Sequence, residues 1–278
     1  MKIIFTGDNH VFHGDQHQSV REMMEAIRHE KPDVVCNVGD TGEVLIFKSD
    51  TVDNDLLLRD LSELFSIQPT LLVLGNHDLY SRNPQDPIIS MNNFLDAVPY
   101  GVPLQKSWTD STTTFEKDGC LFLGVIGFPD FSHPKLPMPP EYYDRRYPTV
   151  DGIYINLREG WLKYTNPLME AFEKKLLLVD SSKCHNIIII THYPIFEFQY
   201  RLNPNEEISV YFYCHEIGQQ VRQVAQRNPN KNFYCVAGHG HEYCLGKWVM
   251  DGNIYSHGLV TTYHDQKYIT LDIPSTIG

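Results

Sequence analysis

Residues able to hold a metal ion recur in this chain immediately after short apolar runs. Asp8 and His10 follow KIIFTG, Asp40 follows VVCNVG, and Asn76, His77 and Asp78 follow LLVLG. His192 follows IIIIT, and His239 and His241 follow FYCVAG. These are carboxylate, amide and imidazole donors, with no paired cysteines and no evident serine or cysteine nucleophile among them. Such a set suits Mn, Fe, Zn, Co or Ni and does not choose between them. It is larger than one tetrahedral or octahedral ion takes from protein, so two divalent ions about 3.5–4 Å apart around a shared carboxylate are expected. In extended backbone, residues i and i+2 project to one side. On that reasoning Asp8 with His10, and His239 with His241, reach into one pocket.

The elements that must position these groups are read from periodicity. KIIFT (2–6), DVVCNVG (33–39) and TLLVLG (70–75) read as buried strands, separated by a helix over 19–30 and a Leu-rich helix near 54–66. Ser19 with Glu22 forms a capping-box pattern for the first helix, whose Val20, Met23, Met24 and Ile27 share a face. Asp86 and Pro87 are expected to open a helix through about Ala97, and 112–128 reads as a hairpin or strand pair. Asn166 and Pro167 are expected to cap another helix, with Leu168, Ala171, Phe172, Leu176 and Val179 inward. A strand at 186–191, a helix near 215–227, a strand at 232–238 and strands around 243–249, 252–257 and 267–273 complete the reading. The expected architecture is α/β, two facing sheets covered by helices, in a single domain over 1–278. A proline- and aromatic-rich stretch at about 129–166 reads as an irregular insertion, a candidate rim or lid.

Composition narrows the function. Lys and Arg total 23 against 35 Asp and Glu, a formal charge of −12, which argues against holding nucleic acid by a broad basic face. The six cysteines lie mostly in apolar runs and read as buried, reduced thiols. The N-terminal apolar run is too short for a signal peptide, and no stretch has the length of a membrane span, so a cytoplasmic protein with no membrane partner is expected.

The runs GDNH, GDTGE, GNHD, THYP and GHGH, in this order, resemble the motifs of the calcineurin-like metallophosphoesterase superfamily. The resemblance implies a four-layer αββα sandwich of two mixed β-sheets flanked by helices. It also implies that Asp8, His10 and His241 bind one ion, that Asn76, His192 and His239 bind the second, and that Asp40 bridges them. His77 would be the catalytic acid, with Asp78 orienting its ring. The implied reaction is hydrolysis of a phosphodiester or phosphomonoester by a metal-bridging hydroxide.

The substrate class is read by exclusion. The paired arginines of the protein Ser/Thr phosphatase branch are not matched by GDTGEVL and GNHD, and only a short tail follows the last motif. A small-molecule, nucleotide or cyclic-nucleotide phosphoester is therefore the expected partner. A nuclease acting on nucleic acid and a non-catalytic metal-binding scaffold are the alternatives. Further substrate contacts are sought at His13, at Arg145 and Arg146, and at Tyr200, Arg201, Tyr211 and Tyr213. His257 is a lesser candidate for supporting a metal ligand.

Overall fold

The computed structural model describes residues 1–10, 16–41, 66, 69–79, 87–97, 101–129, 162–200, 213–262 and 267–274. Strands β1 (Lys2–Thr6), β2 (Val34–Asn37), β3 (Thr70–Leu72) and β4 (Val102–Pro103) run parallel. With β11 (Ile269–Asp272), antiparallel to β1, they form a five-stranded sheet in the order β11-β1-β2-β3-β4. The second sheet is six-stranded, in the order β5-β6-β7-β8-β10-β9. Its strands are β5 (Phe115–Lys117), β6 (Cys120–Val125), β7 (Asn186–Thr191), β8 (Asn232–Ala237), β9 (Val249–Asp251) and β10 (Ile254–Gly258). The central β6, β7, β8 and β10 are parallel, and β5 and β9 are antiparallel edges.

The layering follows from strands that are apolar on both faces. Ile3 and Phe5 of β1, Val34 and Cys36 of β2, and Ile188 and Ile190 of β7 share one buried cluster that holds residues of both sheets and none from a helix. This is the core between the sheets. The alternate residues, Ile4, Val35, Ile187 and Ile189, belong to a second cluster with helical side chains. Both faces of each sheet are thus covered, as parallel strands require. The helices are α1 (Gln16–Glu30), α2 (Pro87–Ala97), α3 (Leu162–Ser181) and α4 (His215–Arg227). Val20, Met23, Met24 and Ile27 of α1, and Leu168, Phe172, Leu176 and Val179 of α3, are buried as their spacing predicts. The result is the expected αββα sandwich.

Several boundaries differ from expectation. Helix α1 begins at Gln16, so Ser19 lies inside the helix and not at its cap. Helix α3 begins at Leu162, so Asn166 and Pro167 are internal rather than capping. Pro167 removes one main-chain donor near the helix start, a loss that the buried face from Leu168 to Val179 outweighs. The strand expected around 243–249 starts only at Val249, because His241–Tyr243 forms a turn of 3₁₀-helix. The helix near 54–66 and most of the 129–166 insertion lie outside the described residues.

All six cysteines are buried thiols outside any disulfide. No helix among the described residues is long and apolar enough to cross a membrane.

Candidate metal centre

Every motif residue sits just beyond the C-terminal end of a parallel strand, so the site straddles the two sheets. The first sheet brings Asp8 and His10 from β1, Asp40 from β2, and Asn76, His77 and Asp78 from β3. The second brings His192 from β7, and His239 and His241 from β8. The parallel ladder continues past the strands: Asp8 N–H donates to Gly39 O at 2.9 Å and His10 N–H to Asp40 O at 3.0 Å. Across the sheets, His239 N–H donates to Asp8 Oδ1 at 3.0 Å.

The pairs converge for a reason other than the i, i+2 pleat. Asp8, His10, Asp40, His239 and His241 all have left-handed backbone, with φ of 51°, 43°, 51°, 63° and 44°. Few non-glycine residues adopt this conformation, and such residues cluster at functional sites where the surroundings hold them there. The chain therefore curls back at the ends of β1, β2 and β8. Gly75 makes room for this crowding, since a β-carbon there would run into the Asp40 carboxylate.

Among the described residues, ligand atoms of Asp8, His10 and His241 lie within 4.8 Å of one another. So do those of Asp40, His192 and His239, and those of His10, Asp40 and His77. Asn76 Oδ1 joins the second group, 2.7 Å from His192 Nε2 and 3.0 Å from His239 Nδ1. Asp40 lies between the groups. Its Oδ1 accepts the His77 N–H at 2.8 Å. Its Oδ2 is buried, 3.3 Å from His192 Nε2 and 3.7 Å from His10 Nε2, and no described residue donates a well-aligned hydrogen bond to it. A buried carboxylate oxygen in that position suits a cation.

Burial drives His10 down to about 3 and holds His239 well below its usual range, so both imidazoles are neutral and carry lone pairs. Burial raises the Asp8 carboxyl. Burial would also raise Asp40, but the neighbouring imidazoles, His192 first, prevail and hold it well below the usual carboxylate range. Burial opposes the charged form of His192, yet Asp40 outweighs it and brings His192 up to about 9, so without an ion this ring is a cation paired with Asp40, and a bound metal would take the place of its Nε2 proton. His192 Nδ1 lies 3.0 Å from Val38 O, a pure acceptor, so Nδ1 carries a proton and Nε2 faces the cluster. These arrangements fit a dinuclear divalent metal site.

Beneath the donors lies a polar network that sequence reasoning missed. Asn37 Nδ2 donates to Asn9 Oδ1 at 3.1 Å, while Asn37 Oδ1 accepts from Gly39 N–H at 2.8 Å and from the Thr41 hydroxyl at 3.2 Å. Asp78 accepts from Thr41 N–H at 3.0 Å and Gly75 N–H at 2.8 Å, so it ties the loop after β2 to the loop after β3. The Thr261 hydroxyl donates to Asp8 Oδ2 at 3.3 Å. Only the conjunction of a buried polar residue with a motif next door could have signalled Asn9 and Asn37. Nothing local marks Thr261.

His77 is half-buried at the edge of the cluster, its ring 4.4 Å from that of His10 in an edge-on arrangement. Tyr200 and Tyr213 are buried and pack on each other in the core, with ring centroids 5.7 Å apart. His257 is buried on β10 against Trp248. His13, Arg145, Arg146, Arg201 and Tyr211 lie outside the described residues.

A layered sandwich with this donor cluster at its strand ends is the architecture of a metal-dependent phosphoesterase. Residues 1–243 match the model of the calcineurin-like phosphoesterases, and the chain belongs to that family. No curated protein matches it in sequence. Among solved structures it is similar to a dimetal phosphatase from Danio rerio, with a TM-score of 0.56 at 13% identity over 97% of this chain and 91% of that one. A 5'-nucleotidase from Candida albicans aligns with a TM-score of 0.44 at 16% identity, over 94% of this chain and 45% of that one. At 13% identity the likeness to the dimetal phosphatase is one of fold.

Proposed function

We propose that this protein hydrolyses a small-molecule or nucleotide phosphoester, with a phosphodiester or a phosphomonoester as the scissile group. The observation that carries the reading is the place of Asp40, whose buried Oδ2 lies between the two donor groups, 3.3 Å from His192 Nε2 and 3.7 Å from His10 Nε2. In this reading Asp8, His10 and His241 hold one ion, Asn76, His192 and His239 the other, and Asp40 both. Two bound divalent ions would neutralise phosphoryl oxygens and lower the pKa of a water between them. The protein's own part is to keep His10 and His239 neutral, to fix the His192 tautomer through Val38 O, and to fix the loops through Asn37 and Asp78.

His77 is then the acid that protonates the leaving alkoxide. Among the described residues 73–79 it is the least buried, and its main-chain bond to Asp40 sets its distance from the donors. Asp78 serves it by anchoring the turn on which it stands. The acidic balance of the chain favours a small substrate over nucleic acid.

The test is hydrolysis of bis-p-nitrophenyl phosphate and p-nitrophenyl phosphate by metal-stripped protein reconstituted with Mn²⁺, beside His77→Asn. We expect turnover of at least one ester, lower by about 10²–10⁴ in the variant, as loss of a general acid costs. Undiminished turnover in His77→Asn would reject the role of His77. Silence on both esters and on a nucleotide panel would reject the enzyme reading in favour of a scaffold.

A further inference from the structure

Outside the donor set, one side chain ties together two of the segments that carry donors and a neighbouring strand. Gln199, in the loop after β7, is fully buried. Its Oε1 accepts from Ile195 N–H at 2.7 Å and Phe196 N–H at 3.0 Å. Its Nε2 donates to Cys235 O of β8 at 3.3 Å and to His257 O of β10 at 3.5 Å. The amide thus has all four of its hydrogen-bonding capacities engaged by main chain. The Gln199 carbonyl in turn accepts from Leu245 N–H at 2.9 Å, beside a bridge between Tyr200 and Cys244.

These partners are placed where small displacements reach the site. Ile195 follows His192 closely, Cys235 precedes His239, and Leu245 follows His241. Gln199 therefore grips the stretch presenting His239 and His241 from both ends, and holds it against the loop that leaves His192. His192 Nε2 and His239 Nδ1 are only 3.2 Å apart, so their spacing is sensitive to any slip between β7 and β8 loops. The close approach is prepared on the facing strand, since a β-carbon at Gly258 would collide with the Gln199 carbonyl.

We propose that Gln199 is a positioning residue for the metal centre, setting the separation of His192 and His239 and so the affinity of the ion they hold. The inference rests on the dinuclear reading above. Groups that hold metal ligands in place typically change metal affinity by about 10–100-fold when removed.

The test is titration of metal-stripped protein with Co²⁺, followed by its visible absorption, in the wild type, Gln199→Leu and Asn253→Leu. Asn253 is a suitable control, being a part-buried amide that donates to Ala225 O at 3.2 Å, Asn228 O at 3.1 Å and Lys231 O at 2.8 Å, at the end of the second sheet away from the donors. The wild type should bind two equivalents. Gln199→Leu should bind one of them about 10–100-fold more weakly with an altered spectrum, and Asn253→Leu should bind both as the wild type does. Wild-type constants and spectrum in Gln199→Leu would overturn the proposal, as would equal weakening in Asn253→Leu. Should Gln199→Leu fail to fold, Gly258→Ala displaces the same loop from the opposite side; weakening of one site there supports the proposal and unchanged binding overturns it. Absence of Co²⁺ binding by the wild type would instead reject the dinuclear reading itself.

Discussion

The Thr261 hydroxyl donates to Asp8 Oδ2 at 3.3 Å, joining residues 253 positions apart in sequence. The other oxygen of the same carboxylate accepts His239 N–H at 3.0 Å. Asp8, at the end of a strand of the first sheet, is therefore aimed by two segments of the second, and Thr261 is one of two named groups that aim it. Thr261→Val keeps the side chain's shape and removes the donor. We predict about 10-fold weaker binding of one metal ion with little change in thermal unfolding. Metal titration of the variant checks this, and unchanged affinity would remove Thr261 from the site.

Asp40 faces both donor groups, so its removal should act on both. Asp40→Ala is predicted to lose both ions, measured by elemental analysis after gel filtration, and to lose turnover with them. An Asp40→Ala protein that keeps two ions per chain would show that the groups do not share this carboxylate. His77→Asn should keep both, since the metal-facing donors around it are intact.

Asn37 is fully buried and serves Gly39 N–H and the Thr41 hydroxyl as acceptor while donating to Asn9. Asn37→Leu fills the same space and supplies none of these bonds. The expected cost is about 3 kcal/mol, from donors left buried without their acceptor. Urea unfolding measures it, and a loss near zero would mean that water or a neighbour replaces the amide.

Lys175 on α3 is buried, donating to Leu104 O at 2.7 Å and Gly124 O at 3.1 Å, with Asp110 Oδ2 4.0 Å away. Burial lowers its pKa to about 8 despite the pull of Asp110. The ordinary lysine value is 10.5, so between these two the unfolded chain binds more protons than the folded one. This group therefore makes stability rise as pH rises through that window, by up to about 1.4 kcal/mol per pH unit. In Lys175→Met that contribution is absent, and the stability difference between wild type and variant should shift in the wild type's favour from pH 8 upward. A difference that is flat with pH would show that Lys175 titrates alike in both states.

Much of the fold was legible because its signals are local. The runs KIIFT, NIIIIT and NFYCVA are apolar at consecutive positions, as strands covered on both faces must be, and each is a buried strand. The helical faces of α1, α3 and α4 followed from spacing alone. Helix starts were read unevenly. Pro87 and His215 open α2 and α4 as expected, whereas Ser19 with Glu22, and Asn166 with Pro167, carry capping chemistry but lie inside α1 and α3, which begin at Gln16 and Leu162; a cap acts only where the chain enters the helix. Tyr200 and Tyr213 could have faced substrate or core with the same residue types, and burial decided for the core.

By itself the sequence determined which donors exist and that each follows an apolar strand, because donor chemistry and strand patterning are both properties of a few adjacent residues. The tertiary structure decided how they meet. The pairs Asp8 with His10 and His239 with His241 are turned by left-handed backbone and not by strand pleating, and they divide between two groups around Asp40. Val38 O on His192, Thr261 on Asp8, and Gln199 across β7, β8 and β10 are contacts between distant segments. No local pattern encodes such contacts, since they arise only when two sheets pack face to face and bring their strand ends into one crowded, buried space.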